Sequence, residues 1–135
     1  MFTSYLIDKT GFTLLCALVG GENVIVPGQL CETVDDNNYN EVLKRLSDIG
    51  YIYHSGKRVD IERTIDFLIS NIVGAQEVNA EPEEKRVIFR CSKLIIVVEE
   101  DRLSPRKCRI VPIKDEEMLE EYFSEYSGAG NNEEE

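Results

Sequence analysis

Three apolar, mostly β-branched runs stand in close succession and constrain the fold more than any other feature of the sequence: Arg86-Val87-Ile88-Phe89-Arg90, Leu94-Ile95-Ile96-Val97-Val98 and Arg109-Ile110-Val111-Pro112-Ile113. Branched side chains suit a pleated surface, and the runs are separated by Cys91-Ser92 and by a loop with Leu103-Ser104-Pro105. A three-stranded antiparallel meander follows, which excludes an all-helical fold. The middle run is apolar at five successive positions, so it is expected at the centre of the sheet with both faces covered. Pro112 cannot donate to a ladder, so the third run is expected at an edge or a strand end.

The chain on either side has helical period. Apolar residues at 12, 14, 15, 18 and 19 mark a helix over 8–19 ending at Gly20-Gly21, after a short extended start at Phe2 to Ile7. Val24-Ile25-Val26 reads as a short strand closed by Pro27-Gly28, and Gln29 to Val34 as one or two helical turns. The polar turn Asp35-Asp36-Asn37-Asn38 then leads into the best-marked helix, where Asn38 and Glu41 fit a capping box and Val42, Leu43, Leu46 and Ile49 form one apolar face before Gly50. Residues 51–53 and 58–60 read as a hairpin with Ser55-Gly56 at its tip. Apolar positions 61, 65, 68, 69 and 72 predict another helix closing at Gly74, and the acid-rich, Pro82-containing stretch 75–85 a linker. Asp115 is expected to cap a final helix with Met118, Leu119, Tyr122 and Phe123 inward. The tail 127–135 carries Gly, Asn and Glu and is expected to be disordered.

A chain of 135 residues with 42% hydrophobic and 30% charged residues is a folded domain in size and composition, not a disordered one. The net charge of −11 is unevenly spread: 14 acids and 6 bases in residues 1–84, 3 acids and 9 bases in 85–114, and 9 acids with no base in 115–135. The overall sign disfavours phosphate backbones and anionic membranes. The basic middle block is expected to contact the acidic C-terminal block within the same fold, with a basic partner-docking face as the alternative. Cys16, Cys31, Cys91 and Cys108 are 15, 60 and 17 positions apart, which excludes CxxC zinc and redox motifs. Cys16 lies in an apolar run and reads as core. The N-terminus lacks a basic n-region and cleavage site, and no apolar stretch approaches the ~20 residues of a membrane span, so a cytoplasmic location without membrane contact is expected.

Catalytic readings do not assemble. His54 is the one histidine and falls in the hairpin beside Ser55, with no third group to orient it. The pairs Asp35-Asp36, Glu83-Glu84 and Glu99-Glu100 are sequence neighbours, the pattern of solvated charge rather than of an acid and a base held apart. Gly20-Gly21 extends to no phosphate-binding motif. No enzyme activity, cofactor or metal is expected.

The order of elements over 8–73, with Leu43-x-x-Leu46-x-x-x-Gly50-Tyr51-Ile52 as the end of a helix entering a wing, resembles a winged helix-turn-helix. Three segments follow from that: a winged-helix-like unit at 1–76, a meander plus C-terminal helix at 77–126 that stands alone or shares the first unit's core, and the acidic tail at 127–135. The fold class is thus α+β. As a DNA reader such a unit would place Asn38, Tyr39, Asn40, Lys44 and Arg45 in the major groove and Lys57 and Arg58 on phosphates, which makes a transcription regulator the alternative function. Asp35 and Asp36 at the start of the same helix oppose that use. The helix ending in Gly-Gly, the Leu-x-x-Leu-x-x-x-Gly-Tyr unit, the next apolar helix and the meander together resemble the EspG-like bacterial proteins associated with type VII secretion. The resemblance implies a noncatalytic cytosolic adaptor or chaperone-like protein that binds another protein. EspG-like chaperones are longer, so no binding residue carries over. Self-association into a homodimer by pairing of exposed strands is a further expectation.

Overall fold

The computed structural model describes residues 2–21 and 28–126. It is an α+β structure with a five-stranded antiparallel sheet, a two-stranded sheet and four α-helices among those residues. In chain order these are β1 (Tyr5–Asp8), α1 (Lys9–Gly20), α2 (Tyr39–Asp48), β2 (Ile52–Ser55), β3 (Arg58–Ile61), α3 (Arg63–Val73), β4 (Glu77–Glu81), β5 (Arg86–Arg90), β6 (Ile95–Glu100), β7 (Lys107–Ile113) and α4 (Glu116–Tyr126). The large sheet runs β1-β7-β6-β5-β4, so the expected meander β5-β6-β7 is its middle, and one further strand lies on each side.

Side-chain alternation along these strands builds two cores. Val87, Phe89, Ile96, Val98, Cys108 and Ile110 face α1, α2 and α3 and complete a cluster with Phe12, Leu15, Leu46, Ile65 and Ile69. Residues of the opposite parity, Ile88, Ile95, Val97, Val111 and Ile113, meet Leu119 and Tyr122 of α4. With helices on both faces, the apolar run of β6 is buried from Ile95 to Val98, as its sequence requires. β7 is an interior strand, but β1 pairs with it only along 107–110. Pro112 therefore lies beyond the end of β1, where no strand of the described residues pairs with β7 on that side and a missing donor breaks no ladder bond.

Local chemistry explains the helix ends. Asp115 accepts from the Met118 amide at 2.9 Å and caps α4. Glu62 caps α3 by accepting from the Ile65 amide at 3.0 Å. The backbone amides of Ile65 and Thr64 hold its carboxyl below the usual carboxylate range. The capping box at α2 does not form. Asn38 instead turns back, accepting from the Asp35 amide at 2.8 Å and donating to the Thr33 carbonyl at 2.9 Å, while Glu41 pairs with Arg45. The side chain that would have capped the helix is used to close the turn before it. Gly11 lets α2 approach α1 closely: a Cβ there would stand 2.9 Å from Leu46 Cδ2 and 3.3 Å from Ile7 Cγ1, so those side chains would have to shift.

Three expectations shift. The supposed linker contains β4, paired with β5 from Glu77↔Arg90 to Glu81↔Arg86, because an edge strand can form ladder bonds without burying an apolar face. The hairpin turn is Gly56-Lys57 rather than Ser55-Gly56, since Ser55 pairs with Arg58 and Gly56 takes the positive φ of 66° the turn demands. Residues 28–30 make one 3₁₀ turn, and no helix continues to Val34. The strand expected at Val24–Val26 and the disorder expected at 127–135 lie outside the described residues.

Candidate functional site

At the β1 end of the sheet, α2 and the loop 104–107 leave an open groove of about 1140 Å³ beside the outer side of β1. Lys9 donates its amide to the Arg106 carbonyl, so by strand alternation residues 5 and 7 turn their backbone toward β7, and Leu6 and Asp8 turn theirs toward the groove. Leu6 at 43% exposure and Ile49 at 53% give the groove apolar wall. Around them stand charges that are mutually engaged: Arg45 bonds Glu41 at 2.8 Å and Asp8 at 3.4 Å, and Arg106 bonds Glu32 at 3.1 Å. Tyr51 closes one end by donating its hydroxyl to the Leu6 carbonyl at 3.0 Å. Burial, with Tyr5 and Glu62 nearby, pushes that phenol upward and keeps it a donor. A groove that mixes exposed apolar residues with ion pairs suits a macromolecular segment, and the volume exceeds most small-molecule pockets.

Of the residues singled out in the sequence, Asn38 and Arg45 line this groove. Tyr39, Asn40 and Lys44 are exposed on α2 outside it, and Lys57 and Arg58 sit at the tip of the β2–β3 hairpin. Lys44 lies 3.0 Å from Asp48 and Arg58 2.9 Å from Asp60, so with Arg45 three of the four proposed phosphate-facing or base-facing cations have a carboxylate beside them in solvent-exposed pairs. Sequence reasoning missed Leu6, Asp8 and Tyr51. The only signal at Leu6 was a large apolar side chain in a segment too short to show a period, and nothing in the sequence sets Asp8 or Tyr51 beside it.

A second cluster lies on the α4 side of the sheet, where Tyr122 donates to Glu99 at 2.6 Å and Arg109 bonds Glu99 at 2.9 Å. Nearby, Lys9 is buried at 7% exposure and pairs with Glu100 at 3.0 Å. Arg109 Nε is buried without a hydrogen-bond partner and stands 3.8 Å from Asp101 Oδ1. Among the described residues the basic block pairs with acids of the sheet through Arg86–Glu81 and Arg109–Glu99, and with the acidic C-terminal block through Arg90–Glu116 at 2.7 Å. Cys31, His54, Cys91 and Cys108 belong to four separate places, and among the described residues no group of three or more His, Cys, Asp or Glu is placed to hold a metal ion. No helix of the described residues is long and apolar enough to cross a membrane. No family model matches the chain, and no curated protein and no solved structure matches it.

Proposed function

We propose that the protein is a noncatalytic, cytosolic, chaperone-like adaptor that receives a segment of another protein in the groove between β1 and α2. The observation that carries this reading is an open groove whose lining combines solvent-exposed Leu6 and Ile49 with the ion-paired Arg45, Glu41 and Asp8. A partner would then be held by apolar burial, with the charged residues setting orientation. The likeness to EspG-like proteins makes type VII secretion the setting to examine first. The winged-helix reading of residues 1–76 rests on the order α1, α2, hairpin, α3. A DNA-reading use of it is the weaker proposal, because residues 1–84 carry 14 acids against 6 bases and Asp35 and Asp36 stand just before α2.

The test is a tagged pull-down from the cytosol of the host cell, with and without nuclease, using the wild type and the variants Leu6→Glu and Ile49→Glu. A stoichiometric, nuclease-resistant partner lost in both variants, whose melting temperatures stay near wild type, supports the adaptor. Recovery that requires nucleic acid, with duplex affinity falling steeply as salt rises, overturns it in favour of the regulator.

A further inference from the structure

The two ends of the large sheet are not equivalent. At one end the outer side of β1 faces the groove walled by α2, and the Tyr51 hydroxyl occupies its Leu6 carbonyl. At the other, β4 pairs with β5 along its whole length, and no strand of the described residues pairs with its outer side. β4 has no proline before Pro82 and an unbroken five-pair register, so it lacks the kinks and bulges by which edges are usually blunted.

Its side chains differ by face. Glu77, Asn79 and Glu81 are in register with Arg90, Ile88 and Arg86, which places them on the α4 side, while Val78, 48% exposed, and Ala80 lie on the other. Arg86 and Arg90 are already bonded to Glu81, Asn79 and Glu116. Exposed Glu83 and Glu84 follow directly, and α4 presents Glu117, Glu120 and Glu121 outward on the same side of the sheet.

We infer that the outer edge of β4 is a docking site for a basic, extended segment of a partner protein, which adds to the sheet as a sixth strand. An incoming strand with Lys or Arg at alternate positions would set those cations on the carboxylate face and its intervening apolar side chains beside Val78. A second copy of this chain fits badly: antiparallel self-pairing about Asn79 sets Glu77 opposite Glu81 twice, and like charges directly opposed destabilise a pair. The site is independent of the β1 groove and binds at the opposite end of the sheet.

The experiment uses the full chain and a fluorescent, acetylated peptide, Lys-Thr-Lys-Val-Lys-Thr-Lys, followed by anisotropy. Two versions carry N-methyl groups on alternate residues, one set for each edge of the peptide. Strand addition predicts that one N-methylated version binds about tenfold or more weakly while the other binds like the parent, since only one edge of the peptide faces β4. It also predicts slowed amide exchange across 77–81 on binding, a several-fold loss in the Glu77→Gln, Glu83→Gln double variant, and unchanged binding in Ile49→Glu. Equal binding of both N-methylated peptides would reduce the effect to charge adsorption and overturn the proposal. So would protection elsewhere, or a free chain that sediments as a dimer with the 77–81 amides already protected.

Discussion

The four thiols show how one residue type takes its chemistry from its place. Cys16 and Cys108 are buried in the core between the sheet and α1, whereas Cys31 is exposed just after the 3₁₀ turn. Burial, reinforced by Cys31, pushes the Cys16 thiol up to about 12, and burial likewise raises Cys108 to about 12, with Lys9 opposing. Since the thiolate is the nucleophile, iodoacetamide at neutral pH is expected to modify Cys31 first, Cys91 more slowly, and Cys16 and Cys108 only after unfolding. Peptide mapping by mass spectrometry checks the order, and early labelling of Cys16 would contradict the burial described above. The sign of the linkage follows. The folded values lie above the ordinary 9.0, so this stabilisation is complete below that pH and is lost as pH rises toward 12. Sequence reading placed Cys16 in the core because its neighbours are apolar, yet it misassigned Asn38, where two local hydrogen-bonding uses of one side chain compete and the sequence does not say which prevails.

At the level of elements, what was legible was burial. β5, β6, β7, α3 and α4 each carry a period that only a covered face explains, and each was placed within a few residues of its observed bounds. β4 was missed because Glu77-Val78-Asn79-Ala80-Glu81 gains its structure from pairing with β5, and ladder bonds are made by backbone that every residue has. The groove was illegible for a related reason, since its walls come from β1, α2 and the 104–107 loop, which only the fold brings together. The contrast between strands is measurable. Ile96→Ala in the central strand removes a fully buried side chain and is expected to cost about 3 kcal/mol in urea unfolding. Val78→Ala on the half-exposed edge should cost about 0.5 kcal/mol or less. Equal losses at the two positions would mean that β4 is covered in solution.

For the whole molecule, the change from helical to strand period near residue 76 invites a two-unit reading, while the packing ties the halves together. The helices α1, α2 and α3 bury their apolar faces on Val87, Phe89, Ile96, Val98, Cys108 and Ile110, all contributed by the second half. The first half returns the exchange through β1, which pairs with β7 across nearly the full length of the chain. A fragment of residues 1–76 would expose the underside of its three helices and leave β1 without a partner. A chain that short already buries only about 60% of its unfolded surface when its core is complete. Fragment 1–76 is therefore expected to lack dispersed methyl resonances and a cooperative melt, and to gain both when 77–135 is added in trans. The intact chain is expected to unfold in one transition, with far-ultraviolet and tyrosine near-ultraviolet signals coincident. A well-dispersed, cooperatively melting 1–76 fragment would show that the helical half holds its own core. The winged-helix reading would then apply to an autonomous module, whereas dependence on 77–135 makes the helices one layer of a sandwich whose central sheet connects the β1 groove to the β4 edge.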